Sequence, residues 1–163
     1  MAVGRVLTLY ITHLSITNRI SRDSTKARNH ILHKKRVYWK VGSTGSVDGE
    51  QTHRLFKVWD RLVVHLGLTP GGVEDTAVSR MGELLRRLYK TYQDDDPTLA
   101  ADCLSITKDF RINVAEVAGS KSHYLLIMEH DLPLLLPAIY PFNMAMYCQD
   151  ITESINCILK NKL

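Results

Sequence analysis

From Leu55 to the C-terminus, apolar residues return every three or four positions, and that period restricts the chain to packed helices. Leu55, Trp59, Leu62 and Leu66 form one such face, with Phe56 and Val63 beside it. Asp48 stands at the capping position with Gln51 three residues on, and Gly67 is placed to stop the helix. After Thr69-Pro70-Gly71-Gly72, a second helix is expected from about Val73 to Tyr92. Ala77, Met81, Leu84 and Leu88 make one ridge and Val78, Leu85, Tyr89 and Tyr92 the next. Its acids Glu74 and Asp75 and its late cations Arg86, Arg87 and Lys90 suit the helix dipole.

Asp94-Asp95-Asp96-Pro97 turns the chain into a third helix carrying Leu99, Cys103, Ile106 and Phe110 inward. The three aspartates lack the glycine and closing glutamate of a calcium loop, so an acidic helix cap explains them better. Arg111–Gly119 reads as a loop or short strand. His123–Leu136 reads as a fourth helix, apolar nearly all round and so buried on several sides, which Pro133 bends or ends. A last helix from about Asn143 to Lys160 turns Met144, Tyr147, Ile151, Ile155 and Ile158 inward. The fold expected is mainly α, about five amphipathic helices in a bundle. The runs of β-branched residues that an α/β enzyme alternates with helices are missing.

The N-terminal segment differs. Residues 1–40 hold nine Lys and Arg against one acid, Asp23, whereas the other residues hold twelve against sixteen. Its densest cluster is Arg28, Lys34, Lys35, Arg36 and Lys40, interleaved with His30, His33, Tyr38 and Trp39. Cations mixed with flat rings suit nucleic acid, where the charges displace counterions and the rings stack on bases. A solvated basic face and an organellar presequence are the alternatives. Against a presequence, Val6–Thr12 alternates as one short strand would. Gly42, Gly45 and Gly49 with their hydroxyl neighbours mark 41–49 as a linker, giving a basic arm at 1–40 and a helical body at 50–163.

Several classes are excluded. The longest apolar run, Leu132–Phe142, is half the roughly twenty residues of a membrane span and is interrupted by Pro133, Pro137 and Pro141. Three cysteines without a CxxC pair fit neither a disulfide scaffold nor a Cys-rich zinc module, and they favour a reducing compartment, nuclear or cytoplasmic. No glycine pattern cradles phosphate, and no serine or cysteine sits in a nucleophile elbow.

The C-terminal portion carries one constellation with chemical potential. His123-Tyr-Leu-Leu-Ile-Met-Glu-His130-Asp-Leu-Pro133, followed after a spacer by Glu153-Ser154-Ile155-Asn156 and then Lys160, resembles the end of the catalytic core of RNase H-like (DDE) transposases, nearest the V(D)J recombinase and its transposon relatives. The resemblance covers the last half of the chain. It implies that Glu153 is the third metal-binding carboxylate, with Asn156 its helical companion, and that Mg²⁺ drives DNA strand transfer. It also implies that His130 is the second histidine of a zinc pair. Leu125 stands where the first should be and the zinc-binding CxxC is absent, so zinc is disfavoured. The two aspartates that complete the metal site in the family have no counterpart on an upstream strand. The chain therefore resembles a transposase-derived fragment that binds DNA and is catalytically incomplete alone. Glu153 as a solvated helix acid, and His130 as a cation at a helix C-terminus, remain the plainer readings. The rival functions are a non-enzymatic helical module that docks a partner protein, or a second copy of itself, through Leu132–Phe142, and a nucleic-acid-binding protein of unrelated origin.

Overall fold

The computed structural model describes residues 21–34, 57–88, 95–121 and 123–143, together with Tyr10, Leu14, Arg54, Leu55, Lys90, Tyr92 and Gln93. Six α-helices are formed among these residues: α1 (Arg22–Lys34), α2 (Trp59–Val63), α3 (Val73–Leu88), α4 (Leu99–Phe110), α5 (His123–His130) and α6 (Leu132–Ile139). A π-helix (Arg111–Ala115) continues α4. The fold is mainly α, as the spacing of apolar residues demands. The expected linker at 41–49, the cap at Asp48, and the last helix from Asn143 to Lys160 lie outside the described residues, apart from Asn143 itself.

The centre of the bundle is α4, against which α3, α5 and α6 all pack, while α2 packs on α3 and α1 on α2. The periodic positions are the core: Leu55, Trp59, Leu62, Leu66, Met81, Leu84, Cys103 and Phe110 are fully buried. Gly67 takes φ 68° and Gly119 φ 71°, left-handed geometry that ends a helical run at little cost only in glycine. Tyr10, Leu14 and Leu32 from the basic segment belong to the same core. Tyr10 is helical, where a short strand was expected. Its hydroxyl donates to Glu74 Oε2 at 2.7 Å, fastening the segment to the first turn of α3.

One contact sets the spacing of α2 and α3. The Trp59 indole lies against Gly82, where a Cβ would collide with the ring. The Trp59 Nε1 donates to the Val78 carbonyl at 2.9 Å. Glycine inside a helix costs about 1 kcal/mol relative to alanine; here it admits the largest side chain of the core.

Two expectations are corrected. The first part of the expected loop or strand Arg111–Gly119 is helical: a π-turn runs through Ala115, with the Glu116 N–H donating to the Arg111 carbonyl at 2.9 Å, and turns then lead to Gly119 as a loop would. The expected helix His123–Leu136, bent or ended at Pro133, is two helices with the break two residues earlier, at Asp131. Pro133 sits in the first turn of α6, where a missing N–H is harmless. That break also changes the burial: Leu125 is buried, but Leu126 and Ile127 are exposed.

Candidate functional site

Three places on the described surface combine chemistry with accessibility. The first is α6. Leu132 and Leu136, four residues apart, turn inward. Everything facing outward is apolar: Leu134 is 78% exposed, and Leu135, Pro137 and Ala138 are also exposed. The face continues through Tyr140, Pro141 and Phe142, and Tyr92 joins it with its ring centroid 5.6 Å from that of Phe142. This surface is firmly held. Gln93 Nε2 donates to the carbonyls of Leu136 (2.8 Å) and Phe142 (2.9 Å), and the Gln93 N–H donates to the Pro141 carbonyl at 2.9 Å. Asn143, 1% exposed, donates through Nδ2 to the Arg87 carbonyl at 2.7 Å and so caps the end of α3. A helix without a polar face belongs in a core; here one whole side meets solvent.

The second is α1. Arg22, Lys26, Asn29 and His33 follow at i, i+4, i+7 and i+11, one stripe, with His30 and Lys34 beside it, and all six are exposed. Arg28 lies on the opposite side with Ile31 and Leu32, 1% exposed. Burial holds its guanidinium below the ordinary arginine range, and its Nη1 has no hydrogen-bond partner among the described residues. Of the basic cluster read from the sequence, therefore, Lys34 is at the surface and Arg28 is inside. Lys35, Arg36, Trp39 and Lys40 lie outside the described residues. Charge density alone does not reveal the stripe formed by Arg22, Lys26 and His33; helical phase does.

The third is an open depression of about 580 Å³ beside the π-helix, with Arg111, Ser120, Lys121, His123 and Leu126 on its walls. Its arginine is already engaged. Arg111 Nε and Nη2 donate to Glu129 at 2.7 and 3.1 Å, and Nη1 to Glu116 at 2.8 Å. Glu129 is 3% exposed. Its hydrogen bonds with Arg111 hold its carboxyl below the usual range, outweighing the burial that pushes it up. This fork ties the π-helix to α5 and serves the fold.

Asp96, in the turn before α4, is also structural. Asp96 accepts from the Thr98 N–H and hydroxyl and pairs with Arg87, and the same arginine reaches Asp102 at 2.7 Å. Cys103 is fully buried, and burial pushes its thiol up to about 12, the behaviour of a small core residue.

His130 is 61% exposed at the end of α5, with Nε2 3.6 Å from Glu129 Oε1. Leu125, at the position of the family's first zinc histidine, is in the core. Glu153 and Asn156 lie outside the described residues, so the implied Mg²⁺ site has no described geometry. Among the described residues, no three His, Cys, Asp or Glu side chains gather as metal ligands. No described helix is long and apolar enough to cross a membrane. Comparison with known protein families, curated proteins and solved structures finds no match.

Proposed function

We propose that this chain is a non-enzymatic helical interaction module that docks through the apolar face running from Leu132 to Phe142. The observation that carries the reading is the outward side of α6, on which no polar side chain interrupts Leu134, Leu135, Pro137 and Ala138. Exposing such a patch costs free energy that a partner recovers by covering it, at roughly 25 cal/mol for each Å². The hydrogen bonds of Gln93 and Asn143 preorganise it, which lowers the entropy lost on binding.

A second reading, nucleic-acid binding by a transposase-derived protein, is supported by the exposed stripe Arg22, Lys26 and His33 on α1. Its catalytic extension, Mg²⁺-dependent DNA strand transfer through Glu153, rests on the sequence resemblance alone.

One paired experiment separates the readings, using the full chain at about 1 μM. Under the docking reading an apolar-surface dye binds, Leu134→Glu removes most of its fluorescence, and a labelled DNA duplex stays free at 150 mM salt. Under the nucleic-acid reading the duplex is bound, its affinity falls steeply as salt rises, and Lys26→Glu weakens it for every sequence. A dye signal that Leu134→Glu leaves unchanged would remove the docking reading.

A further inference from the structure

We infer that the partner covering the α6 face is a second copy of this chain, paired antiparallel about a two-fold axis; this rests on the docking reading.

The area argues for it first. At roughly 200 Å² for each fully exposed large residue, the exposed fractions of Tyr92, Leu134, Leu135, Tyr140 and Phe142 leave about 550 Å² of accessible surface on the face. Two such faces bury about 1,100 Å², above the roughly 1,000 Å² that distinguishes a specific interface from casual contact.

The chemistry of the face argues for it next. No ionisable side chain other than the tyrosine hydroxyl occurs between Leu132 and Phe142. Nothing there selects a charged partner, and an uncharged face needs only another like it.

The layout of the face supplies the register. Leu134 and Leu135 occupy the first half of α6, while Tyr140, Phe142 and Tyr92 cluster at its far end, held there by Gln93. An isologous pair matches each end of the patch to the opposite end of its mate. In antiparallel pairing the rings of one copy cover the leucines of the other, twice. The two helix dipoles then also oppose each other.

Two-fold symmetry doubles every substitution, which makes the inference easy to break. Sedimentation velocity on the full chain, from about 1 to 200 μM, is expected to show the 18.5 kDa monomer giving way to a species of twice that mass. Raising salt leaves the equilibrium unchanged or strengthens it, because apolar burial drives it. Leu134→Glu, at a position 78% exposed in the monomer, weakens dimerisation about a hundredfold while the thermal melt of the dilute protein is unchanged. Leu134→Met, which keeps the apolar contact, retains the dimer.

A chain that stays monomeric at every concentration overturns the inference, as does a dimer indifferent to Leu134→Glu. If the monomer still binds the apolar dye in a Leu134-dependent way, the docking face stands and the occupant is another protein. If it instead co-sediments with neutral phosphatidylcholine vesicles, the occupant is a lipid surface. If neither occurs, the docking reading falls as well.

Discussion

Gly82→Ala is expected to destabilise the protein by about 1–3 kcal/mol, against the usual trend for glycine in a helix. In an exposed helix the same change gains about 1 kcal/mol. Here the new methyl lands on the Trp59 indole. The ring is fully buried, and its Nε1 is anchored to the Val78 carbonyl at 2.9 Å. Overpacking costs about 1–3 kcal/mol, and a ring pushed aside gives up a hydrogen bond of about 1 kcal/mol. Those costs exceed the propensity gain. Urea unfolding followed by tryptophan fluorescence reads the result as a lowered midpoint with an unchanged slope. The double variant Gly82→Ala/Trp59→Leu is expected to lose less than the sum of its parts, since the shorter side chain leaves room for the methyl. A midpoint raised by Gly82→Ala would mean that Trp59 does not lie over α3.

Arg111→Met is the second large effect, about 3 kcal/mol at pH 7. Glu129 is 3% exposed and takes two hydrogen bonds from Arg111, at 2.7 and 3.1 Å. Removing the cation strands a buried carboxylate, which typically costs 3–5 kcal/mol. Arg111 keeps partial contact with solvent (23% exposed), which argues for the lower end. The sign with pH follows from the direction of the Glu129 shift. In the wild type its folded carboxyl titrates below the ordinary 4.5. The stability it contributes is complete above that value and is lost as pH falls through the lower folded one. In Arg111→Met, burial raises the carboxyl against only the weaker pulls of His130 and Lys108, so the folded protein takes up a proton more readily than the unfolded chain. The gap between wild type and variant therefore narrows as pH drops from 7 to 4. Arg111→Met/Glu129→Leu recovers most of the loss at pH 7, because both polar partners leave together. A gap that stays constant with pH would show that the cost arises elsewhere.

How much of this was legible in the sequence depends on whether a residue's role is set by its neighbours in the chain or across the fold. The core was legible: Leu55, Trp59, Leu62 and Leu66, then Met81, Leu84 and Leu88, then Cys103, Ile106 and Phe110 declare themselves by helical period, and all are buried. Gly67 as a helix stop was legible because a left-handed residue is a local requirement. Gly82 was not, because its reason is the indole of Trp59, 23 residues earlier in the chain. The π-turn after Phe110 was not either, since nothing in Arg-Ile-Asn-Val-Ala disfavours an ordinary helix or a strand more than a π-turn.

The candidate site was half legible. The sequence marks Leu132–Phe142 as apolar and available to dock a partner, but it places the bend at Pro133 and expects the helix before it to be buried on several sides. The break at Asp131 redirects α6, so that Leu132 and Leu136, with Ile139 partly buried beside them, carry its packing. On α1, helical phase held the answer. Arg28 lies three and four residues before Ile31 and Leu32 and therefore faces the core with them. Counting charges placed it at the surface; the period places it inside. The same phase turns Arg22, Lys26 and His33 outward together.

The claim on which the account rests is that the chain's own fold leaves the outer face of α6 uncovered until another molecule arrives. The most direct test is methyl NMR of the full chain with a soluble paramagnetic probe, comparing the methyls of Leu134 and Leu135 with those of buried Leu84. In dilute protein, Leu134 and Leu135 are expected to relax strongly and Leu84 hardly at all, with the α6 methyls becoming shielded as concentration rises. Leu134 and Leu135 as protected as Leu84 at the lowest concentration would contradict the account, because the face would then be an ordinary part of the monomer's core.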